Sequence, residues 1–441
     1  MPNIYEIILP MIGKSVEYVP IGTNLGLYYL LYALISGQFL SSRGGIFPAL
    51  SQLGLPATVV RRSWAALQQG GWQMGTILVA WRKQVEGGGR WQPVRIDGYR
   101  IKAGDMSAVF RPRLRASTGK HYHPVAERAL PAVECGLCVD VGKVDKQIVP
   151  LPALLLCPQL STAPDAPSST AQLKQQLIAA IVGQQETDDL YLFDPEFTVT
   201  ELFAAGLKRF ISRQAKNCVA RRNLLPAASG RGRPPEYGEY VRPLARKYSK
   251  KSIPATPCDE SFTCQENQRT LTIQLWHNLV CTAQKVDEKT PTFTIALILD
   301  PKFKEPWLLA SSVPLSHAAW QVIYRFRWTV ERPPLIAKSL LGAQRQFVHS
   351  TVCGSRFFAL SLLAACMLAY FAAILPPIPS GFWDRKPKAT AGRLRRLLSS
   401  RTFPSSFPLQ QRLRLKASHT SHLLKGIFAH RRTKSLASSP T

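Results

Sequence analysis

The sequence predicts an α/β protein, with a helical domain in front and a β-rich insertion, 216–312, that interrupts the α/β core. Three observations carry this expectation. Residues 1–90 have helical apolar spacing and end in the flexible joint "VEGGGRW" (85–91). The apolar run "LYLFD" (190–194) ends in an acid and leads into "TVTELFAAGLKRFISRQ" (198–214), the strand–acid–helix order of an α/β layer. Between residues 216 and 312, period-two stretches are separated by polar turns.

Within the N-terminal domain, "FPALSQLGLPATVVRRSWAALQQGGW" (47–72) has the shape of a helix-turn-helix. A short apolar helix runs to Leu53 and Gly54-Leu55-Pro56 makes the turn. A second helix then points Val59, Val60, Ala66 and Leu67 inward and leaves Arg61, Arg62 and Gln68 free, as a helix entering a major groove would. Any helical hairpin with a Gly-Pro turn has the same outline.

A core follows in 91–215. "YRIKAGDMSAVF" puts Tyr99, Ile101, Ala103 and Asp105 on one side of a strand that ends near the acid, and a second strand ends at Asp194. The helix from residue 198 leads into a strand at Arg209–Ser212. In the insertion, 216–312, "TLTIQLW" (270–276), "TFTIALIL" (292–299) and "PWLLAS" (306–311) read as strands. Helical periodicity returns in 313–380. The rest, 381–441, reads as a basic, disordered tail: residues 385–441 hold fourteen Lys or Arg and no acid.

The formal net charge of +29 on 441 residues points to a polyanionic partner, nucleic acid first. The 46% hydrophobic content excludes a disordered chain. Nine scattered cysteines argue for reduced thiols; Cys135 and Cys138 form a lone CGLC without a second ligand pair, so core cysteines are expected. His121 and His123 lack such a pair too and are read as structural or phosphate-contacting. Arg231 and Arg233 in "RGRP" match the core of a minor-groove hook or a Gly-Pro turn bearing arginines. The N-terminus has no basic leader region. Residues 18–42 and 357–375 are uncharged, and the latter approaches the ~20 residues that span a bilayer, but a buried core helix is the expectation.

Asp105, Asp194 and Glu331 are candidates to meet in space. Unit charges ~4 Å apart repel by about 4 kcal/mol at an effective dielectric near 20, so three carboxylates require cations, and oxygen-only donors suit Mg²⁺ or Mn²⁺. In "YRFRWTVERPPLIAK" (324–338), about 100° per residue puts Tyr324, Arg327, Glu331 and Lys338 on one face of a continuous helix. An ordinary surface Arg–Glu pair would give the same spacing. Pro333-Pro334 should end or kink that helix near Arg332 and let another start at Leu335.

Tyr324, Arg327, Glu331 and Lys338 form the ungapped signature Y-x2-R-x3-E-x6-K, in which the chain resembles insertion-sequence DDE transposases of the insertion-sequence-four type. "GYRIKAGDMSAVFRPRL" (98–114), "KHYHPVAERALPAV" (120–133), "GRGRPPEYGEYVRPLARKY" (230–248), "DPKFKEPWLLAS" (300–311), "AKSLLGAQRQFVH" (337–349) and "PSGFWDRKPKATAGRLRRLL" (379–398) resemble one branch of that group, in its order. The resemblance covers roughly residues 25–398. It implies an RNase H-like mixed sheet interrupted by the β-rich insertion. It also implies Asp105, Asp194 and Glu331 as catalytic ligands of two Mg²⁺ or Mn²⁺ ions, and Tyr324, Arg327 and Lys338 on DNA phosphates. Trp328 would stack on an unpaired base or fill a core. Asp97 is the rival first acid, but Asp97-Gly98 reads as a turn. The implied partners are terminal inverted repeats and target DNA, bound by a homodimer in a prokaryotic cytoplasm, at the nucleoid and not at a membrane. A catalytically inactive relic that only binds DNA is the alternative, motivated by the proline pair and the tail.

Overall fold

The computed structural model describes residues 4–111, 120–123, 125–158, 170–227, 234–248, 251–266, 268–345, 351–404 and 406–415. The chain is mixed α/β, with a large mixed sheet flanked by helices. It divides into two compact units, residues 1–93, 106–177 and 329–441 in one, and residues 94–105 and 178–328 in the other.

The first unit holds the second half of strand β1 (Tyr99–Phe110), then β2 (Arg128–Val144) and β3 (Gln147–Leu156), an antiparallel pair in which Val144 faces Gln147. Its core is the helix Thr351–Ile374, which packs on β2, β3 and the helix Thr23–Ile35. Among the described residues this is the one helix long and apolar enough to cross a membrane, and 89% of its most apolar stretch is buried. Each large apolar side chain so buried contributes about 1.5–3 kcal/mol. The uncharged stretch 18–42 is not one span: it holds the separate helices Thr23–Ile35 and Gln38–Ser41.

The tail differs from expectation as far as residue 415. Thr390 caps a helix, Ala391–Ser399, that buries Leu394 and Leu398, and Phe403 meets the rings of Tyr28, Tyr29 and Tyr32 at 5.0–6.1 Å. The two leucines four apart make an apolar stripe that the high Arg content conceals in composition. Residues 416–441 lie outside the described residues.

The second unit begins with the first half of β1. Strand β4 (Asp189–Phe193) lies parallel to it, with Arg100 opposite Asp189 and Ala103 opposite Leu192. Strand β5 (Phe210–Gln214) lies parallel to β4. The sheet then continues through β6 (Arg269–Val280), β7 (Phe293–Leu299) and β8 (Trp307–Ser311) in the antiparallel spatial order β5-β8-β7-β6. The alternating segment of 216–312 therefore extends this sheet edge to edge. β4 is buried at every position, which matches its unbroken apolar run between two parallel neighbours. Asp97 and Gly98 have φ of 49° and 83° and join Arg95–Ile96 to β1 as a two-residue hairpin turn.

Candidate active site

Parallel register sets the site. Ala103 of β1 pairs with Leu192 of β4, and two residues further along stand Asp105 and Asp194. Carboxyl ends of neighbouring parallel strands are where open α/β sheets gather ligands. Gly104, beside the first acid, leaves room for the Phe193 ring beside the second: a Cβ at 104 would come within 2.5 Å of the Phe193 ring. Asp105 was expected at a strand end, but β1 runs on to Phe110; it is the partner β4 that stops at Phe193.

Asp194 is fixed by the turn that follows it. Its Oδ1 accepts the Glu196 N–H at 3.0 Å, and its carbonyl accepts the Phe197 N–H at 3.2 Å. The helix Val199–Ala204 follows at once under a capping box of Thr198 and Glu201.

The stretch that carries Tyr324 and Arg327 is a 3₁₀ helix, Ile323–Thr329, not the α-helix expected. With three residues per turn, positions three apart eclipse, so Tyr324 and Arg327 share a face more closely than α geometry allows. Arg327 Nη1 lies 3.8 Å from Asp105 Oδ2, with side-chain exposures of only 6% and 16%. The guanidinium also sits 4.7 Å from the Trp328 ring centroid and 5.7 Å from that of Tyr324. The Tyr324 hydroxyl donates to the Phe193 carbonyl at 3.4 Å. Burial pushes the Tyr324 phenol well above its ordinary value. Arg327 and Arg213 pull it down, and Asp194 and Asp105 push it up. Tyr324 therefore stays a proton donor, and both acids act on one hydroxyl.

The break beside the proline pair falls close to where it was expected. The helix breaks earlier, at Val330–Glu331, and Pro333-Pro334 sit in the first turn of a new helix, Arg332–Ser339, where missing N–H groups cost nothing. Glu331 is its N-cap residue and Lys338 lies in its last turn. Both belong to the unit of residues 329–441, whereas Asp105, Asp194, Tyr324, Arg327 and Trp328 belong to the other.

Trp328 is 50% exposed and not a core residue. It helps line a cavity of about 350 Å³ with Arg269, Asp300, Lys302, Phe303, Trp307 and Arg325. Most of this lining went unread in the sequence, because its residues come from two strands, the loop 300–303 and the 3₁₀ helix and share no spacing. Arg325 is held bidentately by Glu266, and Arg269 pairs with Asp300 at 2.5 Å. Trp307 meets Tyr324 edge to face at 5.8 Å and so joins the cavity wall to the site.

The other candidates are dispersed. Asp97 receives the Ser316 N–H at 2.8 Å and the Ser316 hydroxyl at 2.9 Å, a pairing that fixes the start of the helix His317–Val322. Arg61 and Arg62 are exposed on the helix Ala57–Gln69, whose other side buries Val60, Ala66 and Leu67. Arg231 and Arg233 lie outside the described residues. Cys135 and Cys138 are buried in β2, His123 Nδ1 accepts the Ala126 N–H, and His121 stands 3.8 Å from Glu134. Among the described residues no group of three or more His, Cys, Asp or Glu is gathered in a way that could hold an ion. Neither the protein-family models nor the curated proteins contain a match to the chain.

Proposed function

We propose that the chain is a DDE transposase that cleaves and joins DNA at the ends of an insertion sequence. The observation that carries this reading is the meeting of Asp105, Asp194, Tyr324 and Arg327 in one unit, although more than 200 residues separate the first from the last. The strand arrangement supports an RNase H-like core: β1 has β4 and β5 parallel on one side, and β2 and β3 form an antiparallel hairpin.

Two carboxylates at one level of adjacent strands are hard oxygen donors, a set that fits Mg²⁺ or Mn²⁺. Asp105 and Asp194 would hold the ions, with Glu331 proposed as the third acid. Two bound ions would supply the activation of water or of a 3′-hydroxyl and the stabilisation of the leaving oxygen. The chain's own groups do the rest. Arg327 fixes the Asp105 carboxylate and offsets its charge, Tyr324 presents a phenol that keeps its proton, and Lys338 takes a phosphate. The reaction is hydrolysis at the element's end, then attack of the freed 3′-hydroxyl on the opposite strand or target DNA. The partners proposed are terminal inverted repeats and a second copy of the chain. The proline pair starts a helix, so it gives the inactive-relic reading no support.

The test uses the full chain with Mg²⁺ and labelled duplexes of the DNA immediately flanking the gene on each side. Asp105→Asn, Asp194→Asn and Glu331→Gln should each abolish nicking while duplex binding stays within about twofold of wild type. Robust nicking by Glu331→Gln would refute the assignment of the third acid, and by Asp194→Asn the whole reading.

A further inference from the structure

The loop between the helices Thr351–Ile374 and Ala391–Ser399 presents two aromatic side chains that nothing in the proposed chemistry uses. Phe382 is 99% exposed and Trp383 68%, and their rings meet edge to face at 4.9 Å. A bridge between Ile378 and Lys388 closes the loop at its base. Inside it, Asp384 accepts the Ser380 N–H at 2.9 Å and its hydroxyl at 3.0 Å, the Lys386 N–H at 3.0 Å and the Arg393 guanidinium at 2.7 Å. The Ser380 N–H is the largest of several influences that bring the Asp384 carboxyl down to about 2, so this staple is charged throughout the neutral range. Two aromatics are thus held out into solvent by a built turn.

Their surroundings select the partner. Arg385, Lys386 and Lys388 are all exposed, and the loop's one acid, Asp384, is already committed to Arg393. Flat apolar rings ringed by cations match a partner with flat bases and regular phosphates. A bilayer fits less well, because between residues 376 and 390 the only aliphatic side chains besides proline are Ile378 and Ala389. A second copy of a +29 chain would bring like charge onto like charge at this loop.

We infer that Phe382 and Trp383 form a stacking platform for unpaired nucleotides, with Arg385, Lys386 and Lys388 binding the adjacent phosphates. This rests on the reading of the chain as a DNA-handling protein, and it uses none of the residues proposed for catalysis.

The test measures anisotropy of a fluorescein-labelled single-stranded oligonucleotide and of its duplex against the full chain, without divalent metal. Phe382→Ala with Trp383→Ala should weaken single-strand binding about tenfold or more and leave duplex binding unchanged. The slope of log affinity against log salt should not move in that variant. Arg385→Gln, Lys386→Gln and Lys388→Gln together should flatten it by about 2. Phe382→Tyr with Trp383→Tyr should keep most of the affinity. Unchanged single-strand binding by the double alanine variant, with a native melting profile, overturns the inference. So does a loss confined to anionic vesicles, or one confined to self-association in sedimentation. If the wild-type chain binds neither oligonucleotide, the DNA-handling reading itself falls, a result distinct from failure of the loop alone.

Discussion

Asp189→Asn tests the frame on which the candidate site depends. Asp189 is fully buried at the start of β4, and its carboxylate meets Lys102 Nζ at 3.0 Å, Arg100 Nη2 at 2.9 Å, the Tyr191 hydroxyl at 3.1 Å and the Glu186 N–H at 3.0 Å. These contacts tie β1 to β4 five residues before both acids of the site. The amide keeps the shape and one acceptor but leaves Lys102, only 8% exposed, beside a neutral group. Removing one partner of a buried pair costs about 3–5 kcal/mol, and the retained oxygen favours the lower end, about 3. With roughly 0.34 kcal/mol/K of unfolding entropy for the ~160 residues of this unit and about 0.9 for the whole chain, melting should drop by about 3–9 °C. Burial alone would raise the Asp189 carboxyl; the Glu186 N–H, Lys102 and Arg100 outweigh it and hold it below its ordinary value. A depressed folded value means the stabilisation is fully present above the ordinary carboxylate range and is lost as pH falls through the folded value. The gap between wild type and variant should therefore be widest at neutral pH and close in acid. Calorimetry across pH measures it. A variant that melts within about 1 °C of wild type at neutral pH would refute the reasoning, as would a gap that persists undiminished into strong acid.

Two further outcomes follow from the same geometry. Arg327→Lys keeps the charge but loses the planar group that faces Asp105 and lies against Trp328, so strand cleavage should fall about 100-fold with little change in duplex binding, as measured by single-turnover nicking. Leu398→Ala should lower stability to urea by about 2–5 kcal/mol, because Leu398 is wholly buried; a solvated tail would show a change below about 0.5 kcal/mol.

The strands were legible because period and apolar content are local. "LYLFD", "TLTIQLW", "TFTIALIL" and "PWLLAS" all lie in strands, at or within a few residues of the expected bounds. The turn at Asp97-Gly98 was legible for the same reason: its residue types tolerate positive φ. What failed was anything that tertiary packing decides. The choice between 3₁₀ and α winding at Ile323–Thr329 leaves no trace in apolar spacing over seven residues, yet it changes which side chains share a face. The helix Ala391–Ser399 was hidden because its arginines dominate composition while two leucines decide burial. The cavity beside Trp328 draws on residues 269 to 328 with no common period.

Charge in "YRFRWTVERPPLIAK" is met in part by groups distant in sequence. Arg325 is taken by Glu266, Arg327 faces Asp105, and Arg332 donates to the Ile148 carbonyl at 2.6 Å. Three arginines within eight residues thus have three unrelated partners, one on a neighbouring strand, one on β1 and one on β3. In a chain with 56 basic and 27 acidic residues, acids are scarce enough that each buried arginine–carboxylate contact commits a limited resource. That Arg327 and Asp105 stand together with exposures of 6% and 16% is therefore more informative than the same contact would be on a charge-balanced surface.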